Sequence, residues 1–189
     1  MFRFGLSLGR SLVDPLHLLH VFLGALLGFG VVGLSTVAGN TFPVPPGRHE
    51  WASEFEIPVS GHLLIAGGRL HDYGESVRVE EVATGKRILS IEARRDSSGH
   101  LLSMPRKLLA LRGDGLRLVA GRRYRIVAAY ENPTTDTIPG AMGIIGGLFA
   151  PDDLRRWPAI DPTNAVYRLD LELLRNSAIA RRAGPATQR

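Results

Sequence analysis

The residues with the most chemical potential lie in Gly67-Gly68-Arg69-Leu70-His71-Asp72-Tyr73-Gly74, between two runs that read as strands. In an extended chain, residues two apart share a face, so Arg69 and His71 point one way and Leu70 the other. Two histidines at that spacing would be a pair of metal ligands. Here the first position is a guanidinium, which is permanently protonated and cannot coordinate a metal. Asp72 or Glu75 is placed to pair with Arg69 as a structural ion pair. His71 and Asp72 are adjacent, point to opposite faces when extended, and so do not read as an acid–base pair. Ser97-Ser98 lacks the flanking features of a nucleophile elbow. Gly140 to Gly147 is glycine-rich but has no Lys-Ser/Thr of a phosphate loop, so its glycines read as close packing in or beside a strand. With no Cys in the chain, disulfides, thiolate metal sites and Cys nucleophiles are excluded.

The elements that must position His71 are short β-like runs split by turn signals. Strands are expected at Trp51–Val59, His62–Ala66, Ser76–Val82, Arg87–Ala93, Leu116–Val119, Tyr124–Tyr130 and Gly143–Phe149. Ala83-Thr84-Gly85-Lys86 reads as a hairpin turn. Asp96-Ser97-Ser98-Gly99 and Arg112-Gly113-Asp114-Gly115 read as further turns. In the run from Tyr124 to Tyr130, one face is Tyr124, Ile126, Ala128 and Tyr130, which fits a half-buried strand. Many strands at short spacing without long helices between them predict a mainly β chain, a single antiparallel β-sandwich of jelly-roll-like type. Trp51 and Trp157 read as packing residues. Pro151 to Asp161 reads as a loop. Pro162 to Arg182 reads as a short C-terminal helix, with Asp161 as N-cap and Val166, Leu169, Leu173 and Ala180 as its stripe. The part from Tyr167 to Leu173 reads alternatively as a final strand.

The N-terminal region has a different texture. Leu16 to Ala38 contains no Asp, Glu, Lys or Arg and is long enough to cross a hydrocarbon core of about 30 Å as a helix. An uncleaved anchor is favoured over a cleaved signal ending near Thr36-Val37-Ala38 and over a buried helix. Arg3 and Arg10 precede the span, and Gly39 to Gly47 carries no charge, which predicts a cytoplasmic N-terminus and an extracytoplasmic remainder. Gly24 and Gly28 form a GxxxG spacing that suits helix–helix contact in a homodimer. Asn40 to Gly47, with three prolines, reads as an extended spacer. The expected organisation is a cytoplasmic N-terminus (1–15), a transmembrane helix (16–38), a Pro-rich linker (39–50), a sandwich (51–160) and a C-terminal helix and tail (161–189). The net charge of +5 is carried mostly by scattered Arg, a solvated basic surface and not a nucleic-acid footprint.

From Pro45 to Phe149 the chain resembles a known family, the C-terminal sandwich domain of type II copper-dependent monooxygenases of the peptidylglycine and dopamine hydroxylase group. It is nearer to the bacterial and plant relatives called stress up-regulated Nod19-like proteins. The pieces that carry the resemblance are Gly67-Gly68-Arg69-Leu70-His71-Asp72-Tyr73-Gly74, then Tyr130-Glu131-Asn132-Pro133, then Ile138-Pro139-Gly140-Ala141-Met142-Gly143. The resemblance implies a copper held by a His-x-His pair and a later Met. Carried over, the second His falls on His71 and the Met on Met142, a soft pair suited to Cu(I), while the first His falls on Arg69. His62 or His49 would have to stand in for the lost ligand. The enzymes pair two sandwiches with the substrate between them, whereas the residues after the span suffice for one. The resemblance therefore implies a membrane-anchored module with a degraded copper site and a non-catalytic binding or assembly role. The alternative is a functional copper protein, a Cu(I) carrier or one half of a monooxygenase completed by a partner chain.

Overall fold

A computed structural model describes residues 32–159 together with Pro162, Thr163 and Arg168. Eleven strands follow in order: β1 (Val32–Val44), β2 (Gly47–Glu56), β3 (Gly61–Arg69), β4 (Gly74–Glu81), β5 (Arg87–Glu92), β6 (Arg94–Arg95), β7 (Leu101–Ser103), β8 (Lys107–Leu108), β9 (Leu116–Leu118), β10 (Arg123–Asn132) and β11 (Ile138–Pro151). Each of the seven strands expected from alternation is present, with ends shifted by a few residues, because pattern reading locates a strand better than its termini.

Two antiparallel sheets form the body. A five-stranded sheet runs β1-β11-β3-β8, with β9 also on β3, and a four-stranded sheet runs β2-β10-β4-β5. Consecutive strands alternate between the sheets at β1, β2, β3 and β4, so each sheet is assembled from distant parts of the chain. β6 and β7 make a small ribbon in the crossing between β5 and β8.

The hairpin turn between β4 and β5 forms as expected. Gly85 takes φ +66°, which side chains disfavour, and its N–H bonds to the Glu81 carbonyl at 2.8 Å. In β10 the predicted inner face is the buried one: Tyr124, Ile126, Ala128 and Tyr130 are each at most 3% exposed. Opposite them, Ala141, Ile145 and Phe149 of β11 complete the core. A Cβ on Gly143 would stand 2.4 Å from the Ala128 Cβ, so a glycine is required where the two sheets come closest. Phe42 stacks on Trp51 at 4.6 Å and meets Tyr130 edge-on at 5.7 Å. Trp157 packs on Phe149. Both tryptophans are packing residues, as read.

The N-terminal part differs from expectation. Residues 32–38, the far end of the expected span, lie in β1, paired with β11 from Val32↔Phe149 to Val37↔Ile144. Asn40 to Gly47, expected as a spacer, is strand up to Val44 and from Gly47, with a short turn between. The prolines are tolerated because β1 is an edge strand, where Pro43 can leave its missing N–H on the unpaired side. Phe42 and Val44 point into the core between exposed Thr41 and Pro43. Residues 16–31 of the expected span and residues 164–182 of the expected C-terminal helix, Arg168 apart, lie outside the described residues. Among the described residues no helix is long and apolar enough to cross a membrane.

Candidate functional site

β3 ends at Arg69, and the chain turns through Leu70 to Tyr73 before β4 begins. Leu70 is 2% exposed and fills the core, whereas Arg69 is exposed and His71 half-buried. That alternation puts Arg69 on the outer side of the five-stranded sheet, while His71 lies past the end of the strand, in the turn. On the neighbouring strand, Ala141, Gly143 and Ile145 face inward, so Met142 and Ile144 face outward. Arg69 pairs with Ile144. An unbroken register carried two residues further would set His71 opposite Met142.

The ladder does not continue directly to that pair. The Tyr130 hydroxyl, reaching across from the four-stranded sheet, takes its place. It accepts the His71 backbone N–H at 3.0 Å and donates to the Met142 carbonyl at 2.5 Å. Burial pushes the Tyr130 pKa up, so the phenol keeps the proton that this second bond needs. Two backbone groups that would otherwise be orphaned in the core are thereby satisfied.

The turn that carries His71 is held on every side. Asp72 accepts the Leu101 N–H at 2.8 Å. Tyr73 donates its N–H to the Gly99 carbonyl at 2.8 Å, and its carbonyl accepts from Glu131 at 3.0 Å. Tyr73 is the non-glycine residue with positive φ, +66°, a conformation that costs of the order of 1 kcal/mol or more and persists only where surroundings fix it. The Gly74 N–H closes the turn onto the His71 carbonyl at 3.1 Å.

The expected ion pair at Arg69 is not made. Asp72 faces the crossing segment at Leu101, and Glu75, on the other sheet, pairs with Arg48 at 3.0 Å and Arg95 at 3.6 Å. Arg69 has no acidic partner among the described residues, since Asp72 is engaged by the Leu101 N–H and Glu75 by Arg48 and Arg95. The stand-in ligands are not brought to the site either. His62 sits at the far end of β3, opposite Ala150, about 30 Å from His71 at roughly 3.3 Å per residue. His49 pairs with Tyr130 on the inner face of the four-stranded sheet and spends its Nε2 on the Pro46 carbonyl at 3.0 Å. Among the described residues there is no group of three His, Asp or Glu able to hold a metal. One imidazole and one thioether beside a permanent cation fall short of the three-donor set that the resemblance implies for copper.

Two features escaped the sequence reading. One is the Tyr130 hydroxyl just described. The other is Asn132, 1% exposed. Its amide donates to the carbonyls of Val44 (2.9 Å) and Asp136 (2.7 Å), and its Oδ1 accepts from the Thr134 N–H and hydroxyl. It fixes the β10–β11 connection and ties it to β1. The signal for it was Asn-Pro-Thr at the end of an alternating run, a turn signature.

A cleft of about 390 Å³ lies behind the same turn, lined by Tyr73, Arg95, Ser98 and Glu131 among others. Asp96, Ser98 and His100 meet at its edge but do not form a catalytic triad. The Ser98 hydroxyl and the Asp96 carboxylate both face His100 Nδ1, at 3.1 and 3.5 Å, and Asp96 accepts the Ser98 hydroxyl directly. A triad needs Ser and Asp on opposite ring nitrogens. Comparison of the chain with family models, with curated proteins and with solved structures finds no match. What the fold defines is a mainly β protein of two antiparallel sheets.

Proposed function

We propose that this chain is a non-catalytic binding or assembly module, a jelly-roll-like sandwich whose counterpart of a copper-monooxygenase metal site has lost its first ligand to Arg69. The observation that carries the reading is the Tyr130 hydroxyl that bridges the His71 N–H and the Met142 carbonyl just beyond the Arg69↔Ile144 pair. The strand order of the two sheets supports the jelly-roll-like class. The uncharged stretch from Leu16 to Val31, ahead of β1 and preceded by Arg3 and Arg10, supports a shorter membrane anchor than residues 16–38, with the sandwich on the extracytoplasmic side. The test is Cu(I) titration of the full-length chain under reducing conditions, beside an Arg69→His variant. The expected result is no stoichiometric binding by the wild type and one Cu(I) bound by Arg69→His.

The closeness of the His71 and Met142 backbones through the Tyr130 hydroxyl also favours a second reading, a working Cu(I) carrier or half of a monooxygenase completed by a partner. Tight binding by the wild type, lost in both His71→Ala and Met142→Ala, would replace the first reading with this one. If neither wild type nor Arg69→His binds, both readings fall.

A further inference from the structure

The outer face of the five-stranded sheet combines exposed leucines with cations that have no acid to pair with. In register across that face, Leu148 of β11, Ile65 of β3 and Leu108 of β8 form one row. Leu148 is 37% exposed and Leu108 51%. Leu111, in the 3-10 turn that follows β8 and packs beside β3, is 74% exposed. Around them stand Arg69 and Arg106, both exposed, whereas Lys107 pairs with inward-facing Ala66 and leaves the other side of the sheet. The Arg106 stem lies along the outer face: its Cγ is 3.9 Å from where a Cβ on Gly67 would be. Neither of these two cations has an acidic partner among the described residues. The reason is compositional, since the strands β1, β3, β8, β9 and β11 contain no Asp or Glu, and neither does the whole stretch from Ser97 to Gly113.

We infer that this face lies against an anionic lipid surface. Leucines exposed in a row suit insertion at the headgroup boundary, and long basic side chains bury their stems there while holding the charge at the phosphates. A solvated protein face with cations in place normally carries interspersed acids; around this row there are none, Asp152 being engaged by Arg117 toward the far end of β3, and that is the charge complement of an anionic surface and disfavours water as the neighbour. Each cation near such a surface strengthens attachment about fivefold at physiological salt. The inference does not depend on whether His71 and Met142 bind copper.

The native chain has no Cys, so single labels can be placed cleanly. Leu111→Cys and Thr84→Cys, the latter on the β4–β5 turn, carry an environment-sensitive fluorophore in the full-length protein. Each is incubated with phosphatidylglycerol-containing vesicles or with phosphatidylcholine vesicles, both holding spin-labelled lipid. The expected result is quenching and a blue shift at position 111 with the anionic vesicles, several-fold above position 84 and above the phosphatidylcholine response. Arg69→Gln and Arg106→Gln should each lower the ratio of lipid-contacting to free label at 111 about fivefold, with unchanged circular dichroism. The proposal is overturned if position 111 stays as wet as position 84, or if both lipids quench it equally. It is also overturned if position 111 becomes buried without lipid as protein concentration rises, which would assign the face to a second copy.

Discussion

On the outer face of the four-stranded sheet, Arg78 lies across β10 from β4 to reach Glu50 on β2 with two bonds of 2.9 and 2.8 Å. Its Nε bonds to Glu80 at 2.6 Å, and Glu80 in turn accepts from Arg125 at 2.6 Å. Val127 and Ala129, the β10 residues beneath this ladder, are each 2% exposed although they face outward. The outer face of the five-stranded sheet has the same strand periodicity and far less of that chemistry: Arg117 of β9 is clasped by Asp152 at 2.6 and 2.7 Å, but the middle strand presents Met142, Ile144 and Leu148. The four strands of one sheet hold Glu50, Glu54, Glu56, Glu75, Glu80, Glu81, Glu92 and Glu131, and the five strands of the other hold no acid. Charge can therefore either close a face or leave it available. Where every cation has its carboxylate, the face is covered by the protein's own side chains. Where the acids are missing, the same sandwich leaves leucines and arginines without partners.

The contrast can be broken most severely at Arg78. Arg78→Ala leaves Glu80, 7% exposed, without its main partner and uncovers Val127. The expected cost is about 3 kcal/mol, read as a lowered midpoint in urea unfolding with unchanged slope. Tyr130→Phe comes next. It keeps the ring and strands the His71 N–H and the Met142 carbonyl, for about 1–3 kcal/mol, and amide exchange at His71 should rise. The third effect is acid-dependent. The hydrogen bond from Arg78 holds Glu50 below its ordinary value of 4.5. For Glu80, burial alone would raise the pKa, but the bonds from Arg78 and Arg125 outweigh it and the value is lowered. Carboxylates with lowered folded pKa values contribute stability that is whole above the unfolded value and lost as pH falls through the folded one. Thermal stability should thus hold from neutrality down to about pH 4.5 and fall below it, and Glu80→Gln should flatten the fall. The smallest effect belongs to the other face. Leu108→Ser and Arg69→Ala should each change stability by no more than about 0.5 kcal/mol, because nothing in the fold rests on them; a larger loss would mean that this face is already covered.

Much of the sandwich was legible because alternation is local: β2 to β5 and β9 to β11 each show it in their own residues. β1 was not, because Val32 to Ala38 follows an uncharged apolar run without a break, and an apolar run by itself does not distinguish strand from helix. Thr41-Phe42-Pro43-Val44 does alternate, but its prolines and those that follow read as a spacer. At the candidate site, the sequence supplied Arg69 and His71 two residues apart, but the strand ends between them. Their juxtaposition with Met142 rests on pairing between β3 and β11, which no local pattern encodes. The missing ion pair at Arg69 has the same origin: Glu75 is near in sequence but belongs to the other sheet. The contrast between the two outer faces was present in the residues all along, yet it emerges only once each strand is assigned to its sheet.

The pairing of β1 with β11 also sets a timetable. Val32 finds its partner, Phe149, at the other end of the domain, and such non-local contacts form slowly because a long loop must close first. During synthesis at about 5–20 residues per second, the partner emerges on the order of ten seconds later. For that interval the first strand has no sheet to join, and whatever becomes of the apolar residues ahead of it is decided before the sandwich exists.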